Sequence, residues 1–532
     1  MKLNKIINTL SVAAVALLAT ACNDTDAQYD VAVVGAPDFV SVSPAVDKAL
    51  LFGEKTIKVK FDKKIGFATK NASQITLNGV PVKKALVLGA DSALTITADV
   101  NFDKTQKLVI PAGLIVSSQG DKYDKELDFT WTISDLPANE ATAMTQKLGW
   151  GWNMGNHFDT SDTTYGYWDG FTTINPVLFQ KLAATGAKTV RIPATWTCHM
   201  DENGTISADY LNEVAEVVDM AIAAGLNVIL NTHHDSFEKR IAQSAKYADE
   251  AKKDSALIAS VWKQIATKFV NHSADKLFFE TFNEVHGAEY NEDGTIKSED
   301  WGTGSDEQFA MLNQWNQWAV DAIRSTGGNN STRWIGVSGY AANIDLTIAL
   351  DDKTGELKNF KLPTDPANHI MVGVHCYDPY YFCLHPMDEK VDTVLVNSWG
   401  HNADPNYSIS NANEEYIYNH LYKLRETFIE KGIPCYLGEY GCVVQTTERA
   451  NAFRKYYLEF FCRAANLAGL PMMVWDNNVA TGGNESNGYI DHATGDFIAD
   501  GADVVPMMIK ACTSTDSSYN FYSIWDKSPA AQ

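Results

Sequence analysis

Two glutamates follow apolar runs in the second part of this chain: Glu284 in Phe279-Glu280-Thr281-Phe282-Asn283-Glu284, and Glu439 in Leu437-Gly438-Glu439-Tyr440-Gly441. Burying an unpaired carboxylate is costly, so a glutamate set against core-like sequence has either a partner or a task. A pair of glutamates suits the cleavage of a glycosidic bond with retention. One carboxylate attacks the anomeric carbon and the other protonates the departing oxygen, the two standing ~5–5.5 Å apart. Further polar clusters close other hydrophobic segments: Trp150-Gly151-Trp152-Asn153-Met154-Gly155-Asn156, Arg191-Ile192-Pro193, His233-His234-Asp235, His375-Cys376-Tyr377 and Val474-Trp475-Asp476-Asn477. Glu284 and Glu439 lie 155 positions apart, so the fold has to bring such segment ends onto one face.

The elements that could do so are legible. From about residue 141 the pattern alternates strand with helix. Candidate strands cover 148–153, 187–193, 226–232, 277–283, 333–338, 370–376, 434–439 and 470–475. Helical periodicity runs through Leu211 to Ala224, Leu257 to Val270, Phe309 to Ile323, Tyr416 to Ile429 and Ala450 to Ala468, with Gly225 and Gly469 placed to end helices. Eight such repeats predict an α/β fold, a (β/α)8 TIM barrel over residues 144–515, whose strand ends share one face. Long insertions follow strand 4 (285–304) and strand 6 (378–411), and residues 516–532 form a tail.

The front of the chain reads differently. Residues 36–135 alternate apolar and polar over short runs, as in Thr56-Ile57-Lys58-Val59-Lys60-Phe61 and Leu127-Asp128-Phe129-Thr130-Trp131-Thr132-Ile133, with turns such as Asn78-Gly79 between them. Period two without a helical stretch predicts an all-β sandwich, similar to immunoglobulin-like modules. Its one tryptophan, Trp131, sits in a strand pattern and is expected in the core, which favours a spacer over a carbohydrate-binding module. Residues 136–143 are the expected linker.

The first 22 residues predict an export signal: Lys2 and Lys5, then an apolar stretch from Ile6 to Ala21, too short for a stable span. Cys22 after small residues resembles a bacterial lipoprotein signal, with Leu18 one place further back than usual. Lipidation of Cys22, a tether over 23–35 and an outer-membrane or cell-surface location follow from that likeness. Seven cysteines lie beyond Cys22 and none shows C-x-x-C spacing, so no structural zinc site is expected. The net charge of −23 makes nucleic acid and anionic membrane surfaces poor partners. The front module is nearly balanced, with 13 lysines against 12 acids, so the charge belongs to the barrel region. Neutral polymers remain suitable partners.

Taken in order, Arg191, His233-His234, Asn283-Glu284, His375-x-Tyr377, Glu439 and Trp475 resemble glycoside hydrolase family 5, over about residues 148–480. The resemblance implies Glu284 as general acid/base and Glu439 as nucleophile, with no cofactor. It further implies that Arg191 and Tyr377 hold Glu439, Asn283 meets the sugar 2-hydroxyl and His375 sits beside the reacting sugar. His233 and His234 are the implied sugar-contacting pair, Trp475 the stacking platform, and Asn156 and Asp159 the hydroxyl-binding pair, although His157-Phe158 replaces smaller residues there. A metal at His233-His234 is not expected, because neighbours on a strand point to opposite faces.

Trp168, Trp196, Trp301 and Trp399 fall in loop-like segments that could extend the sugar track, whereas Trp262, Trp315 and Trp318 fall on helices and read as core. The implied activity is that of a retaining endo-β-1,4-glycanase, most similar to endoglucanase branches acting on cellulose-like, mixed-linkage or xyloglucan chains of plant origin, and working as a monomer. A β-1,4-mannanase with the same pair, or a catalytically dead glycan-binding lipoprotein, are the alternatives.

Overall fold

The computed structural model describes residues 34–531, apart from 70–71, 88–91, 163, 165, 172, 292, 389 and 392. The expected signal segment with Cys22, and the tether up to residue 33, lie outside the described residues. The chain forms two compact units. One is built from the segment ending at Ala45 with Thr56–Thr97 and Leu108–Phe129; the other comprises Val46–Lys55, Ala98–Lys107 and Thr130–Gln532.

The front strands form two four-stranded sheets. The first has the order Phe39–Ser43, Gly53–Phe61, Ala93–Val100, Lys84–Val87, and the second Leu127–Thr132, Thr105–Ile110, Thr76–Leu77, Val80–Pro81. Several of their pairings are antiparallel. The period-two pattern is obeyed: Ile57, Val59 and Phe61 turn inward on one strand, and Leu127, Phe129 and Trp131 on another. Trp131 is fully buried, the position expected of a core side chain.

Eight strands of the second unit close into a barrel in sequence order. They are β1 (Trp150–Asn153), β2 (Thr189–Ile192), β3 (Asn227–Asn231), β4 (Leu277–Glu280), β5 (Ile335–Asn343), β6 (Ile370–Cys376), β7 (Cys435–Tyr440) and β8 (Met472–Val474). Every pairing is parallel, including the closure of β8 on β1. Each strand overlaps one of the eight expected segments. The intervening helices are capped as their sequences suggest: Asn175 accepts from Val177 N–H ahead of Pro176, Ser305 accepts from Gln308 N–H, and Gly469 takes φ 74° after Ala468.

Inside the barrel, Ile229, Phe278, Met371, Tyr436 and Met473 pack with Met144 and Leu148 of the helix Glu140–Leu148. That helix opens within the expected linker, capped by Asn139, and fills the lower end of the barrel. The insertion after β4 folds as an antiparallel hairpin, Gly287–Tyr290 with Ile296–Asp300, and that after β6 begins with the short helix Tyr380–Cys383. All seven described cysteines carry free thiols.

Candidate active site

Strand register sets the site. Asn153 ends β1 opposite Arg191 of β2, Asn231 ends β3 opposite Glu280 of β4, and His375 of β6 lies opposite Glu439 of β7. Asn153, Asn231 and Glu280 end their strands, and Arg191, His375 and Glu439 stand one residue before the ends of theirs.

Arg191 is the hub. Fully buried, it donates through Nη1 to Glu439 Oε1 at 2.8 Å and to Asn153 Oδ1 at 2.9 Å, and through Nη2 to Glu280 Oε1 and Asn283 Oδ1, both at 2.7 Å. Burial opposes its charge, but Glu280 and Glu439 outweigh that and hold it firmly protonated. Tyr377 Oη donates to the other oxygen of Glu439 at 2.9 Å. Glu284 lies alongside, with His375 Nδ1 2.6 Å from its Oε1 and 3.8 Å from Glu439 Oε2. Burial would lower the pKa of His375, yet the charges of Glu439 and Glu284 outweigh it and raise it. An oxygen of Glu284, an oxygen of Glu439 and a nitrogen of His375 all fall within 4.8 Å of one another.

A second group adjoins this one. The rings of His233 and Trp475 stack at 5.9 Å and 12°. Trp475 lies over Gly155, where a Cβ would stand 2.6 Å from the indole, so the turn after β1 accepts only glycine there. Ligand atoms of Asp159, His233 and His234 lie within 4.8 Å of one another. The expectation that neighbouring imidazoles diverge does not hold, because His234 adopts φ 57° and breaks the strand alternation. Asn231 Nδ2 can only donate, so His233 Nδ1, 3.3 Å away, accepts and the proton sits on Nε2. Burial, then the charges of His234, Arg191 and His375, keep His233 neutral. Asp159 is buried with no well-directed partner on either oxygen, only approach from the Asn156 and Asp159 backbone. Burial pushes its pKa up to about 6, against the pull of His234. Asn156, at φ 65°, donates to Asn477 O at 3.4 Å.

All the expected site residues of the barrel therefore gather around one mouth, Asn156 at its edge. Among the loop tryptophans, Trp168 and Trp301 are 47% and 46% exposed, whereas Trp196 and Trp399 are buried at 0% and 1% and belong to the core. Trp196 turns inward because its indole N–H donates to Asn231 O, and Trp399 because its own donates to Ala412 O. Tyr380 and Tyr381 are about half exposed and Phe382 is buried. Sequence reasoning missed Glu280, Asn153, Asn231, Tyr436, Glu238 and His286. A signal existed for Glu280, a charge closing the run Leu277-Phe278-Phe279.

The family described as Cellulase (glycosyl hydrolase family 5) matches residues 151–481. An endoglucanase A from Clostridium longisporum is 32% identical over 367 residues, 66% of this chain and 63% of the length of that enzyme. This chain thus spans less than two thirds of that relative. An endoglucanase A from Paenibacillus barcinonensis is 29% identical over 361 residues, covering 65% of this chain and 84% of that one. Among solved structures, a broad specificity endoglucanase of Bacteroides salanitronis superposes with a TM-score of 0.62 at 36% identity, covering 71% of this chain and 97% of that chain. A xyloglucanase of Paenibacillus pabuli superposes with a TM-score of 0.55 at 26% identity, covering 69% and 98%.

Proposed function

The chain belongs to glycosyl hydrolase family 5, and on that footing we propose that it is a retaining endo-β-1,4-glucanase, exported and anchored through a lipid on Cys22. The observation that carries the reading is the spacing of Glu284 and Glu439, whose carboxylate oxygens approach within 4.8 Å, with Arg191 and Tyr377 donating to Glu439 and His375 beside Glu284. A separation that short suits direct attack and leaves no room for the intervening water of an inverting enzyme.

In the first step Glu439 attacks the anomeric carbon as Glu284 gives its proton to the departing oxygen, leaving a glycosyl ester and a Glu284 carboxylate. In the second, Glu284 takes a proton from water, the hydroxide oxygen displaces Glu439, and both glutamates return to their starting states. Arg191 and Tyr377 each donate to one oxygen of Glu439, which fixes the carboxylate plane and supports the charge that returns to it. His375 serves Glu284, where its Nδ1–H meets the anion formed between the steps. Asn283 has its oxygen occupied by Arg191, so its Nδ2 donors face the sugar. His233 Nε2–H and the Asp159 oxygens supply a donor and acceptors for hydroxyls, and Trp475 supplies an apolar face for the ring.

Glucan, in preference to mannan, is supported by the relatives, which are named as endoglucanases, a lichenase and a xyloglucanase. The assembled carboxylate pair argues against a purely binding role. The front sheets, with Trp131 buried, support a spacer of immunoglobulin-like type. The test is the product profile on carboxymethylcellulose, mixed-linkage β-glucan, xyloglucan and glucomannan, alongside Glu439→Ala. A rapid fall in viscosity on a glucan, absent in the variant, is the expected result. Activity confined to glucomannan would overturn the substrate, and an active Glu439→Ala would overturn the nucleophile. Loss of membrane association in Cys22→Ser cells is the corresponding test of the anchor.

A further inference from the structure

We propose that Glu238, a buried carboxylate four residues after His234, is a positioning residue that aligns Glu284 and His234 as one unit. This inference rests on the reading of Glu284 as the acid/base. Glu238 follows β3 on a turn pinned by Asp235, whose Oδ1 accepts from the backbone N–H groups of Trp196 and Thr197 at 2.9 and 2.6 Å. Its side chain is only 5% exposed, and its two oxygens are divided. Oε1 accepts the backbone N–H of Glu284 at 3.0 Å, and Oε2 lies 3.4 Å from His234 Nδ1.

A neutral acceptor would serve the Glu284 N–H as well, so the charge calls for another reason. His234 provides it. Partial burial works against charge on that imidazole, but the hydrogen bond and charge of Glu238 come first among the opposing effects, followed by Asp159 and Glu284, and push it up to about 9. Glu238 is itself held below the usual carboxylate range, against burial, by His234, the Glu284 N–H and His286. The groups around His234 are thus Glu238 on its own loop, Asp159 from the loop after β1, Glu284 after β4, and the rings of His233 and Trp168.

The far side of the Glu284 backbone is gripped as well. His286 Nδ1 donates to Glu284 O at 2.6 Å, and the His286 ring stacks on Trp301 at 3.7 Å. Glu284 therefore hangs from a continuous series, Trp168, His234, Glu238, Glu284, His286 and Trp301, with an exposed indole at each end. Glu238 is the only charged joint in it that touches no expected sugar position, and so acts through its neighbours.

The test separates acid placement from general damage by leaving group. Glu238→Ala is compared with the parent on β-glucan, and by kcat/KM on 2,4-dinitrophenyl β-cellobioside, whose phenolate departs without a proton. The expected result is a roughly 10- to 100-fold loss on the polymer, the scale of a misplaced catalytic group. On the activated substrate the loss is no larger than the rise in KM that the missing charge beside His234 also causes in Glu238→Gln, because no general acid is needed there. Glu238→Gln restores the acceptor for Glu284 N–H but not the charge for His234, so kcat on the polymer recovers while KM stays raised. Equal losses on both substrates, or no loss on either, would overturn the proposal. Should Glu238→Ala fail to fold, Glu238→Gln decides alone: a raised KM with kcat kept supports it, and an equal fall in kcat on both substrates sinks it. Glu284→Ala is the control, for if that variant shows no dependence on leaving group, the reading of Glu284 fails rather than the role of Glu238.

Discussion

Arg191 stands 2.7 Å from Glu280 and 2.8 Å from Glu439, so one buried guanidinium serves two buried carboxylates. Two carboxylates thus share one guanidinium. Tyr436 Oη at 2.6 Å and Asn231 Nδ2 at 2.9 Å share the support of Glu280. That division leaves Glu439 oriented without being fully neutralised, which suits a nucleophile. It also explains why the side chain is arginine: the fork of donors meets four acceptors in fixed directions, which a lysine ammonium cannot reproduce.

Removal of that fork should be felt in stability before activity is considered. Arg191→Met leaves Glu280 and Glu439 buried without their cation, and breaking a buried ion pair typically costs ~3–5 kcal/mol. Urea unfolding of the parent and the variant at pH 7 measures it. A loss under about 1 kcal/mol, the range of exposed pairs, would show that the array is wetter than its burial indicates.

Tyr377→Phe removes one donor to Glu439 and little packing. A hydrogen bond to a charged group is worth ~1.5–3 kcal/mol, and at ~1.4 kcal/mol per decade that amounts to a fall in kcat/KM of about 10- to 100-fold. The unfolding midpoint should barely move. An unchanged kcat/KM would mean that Arg191 alone holds the carboxylate.

The barrel was legible because each strand is a short apolar run closed by a polar cluster, and because Gly225 and Gly469 punctuate the helices. Sidedness was harder to read. Nothing in His233-His234 announces the positive φ at His234 that turns both rings to one side, since that conformation is imposed by the loop carrying Asp235 and Glu238. Trp196 and Trp399 looked like loop residues because their segments lack periodicity, yet each indole N–H finds a backbone carbonyl inside the fold. Glu280 was visible as a charge in an apolar run, but only the register with Asn231 shows that it shares Arg191 with Glu439.

A pH dependence of stability follows from His492. Its ring is fully buried, with Nδ1 3.0 Å from Asp169 and Nε2 3.7 Å from Asp476, while His157 Nδ1 also reaches Asp169 at 2.9 Å. Burial opposes protonation, but hydrogen bonds and charge from Asp169 and Asp476 push the pKa from 6.5 up to about 9. A folded-state value above the unfolded one means that the contribution is fully present below pH 6.5 and fades as pH rises through about 9. His492→Gln should therefore be destabilised most at pH 6, with the gap to the parent narrowing by pH 9. Urea midpoints at pH 6, 7, 8 and 9 would show it, and a gap of constant size would count against the charged form.

Trp168 and Trp301 offer a test of how the polymer lies. Both indoles are nearly half exposed, one beside His234 and the other on His286, so neither contributes much to the core. Substitutions of this kind usually change stability by no more than ~0.5 kcal/mol. Loss of one stacking face costs ~0.5–1.5 kcal/mol, which at ~1.4 kcal/mol per decade raises KM on the polymer about two- to tenfold. If the two rings hold different stretches of one chain, the effects of Trp168→Ala and Trp301→Ala multiply in the double variant, as independent sites do. A double variant no worse than the weaker single one would place both rings on the same sugar. Unchanged KM in all three would remove them from the substrate track.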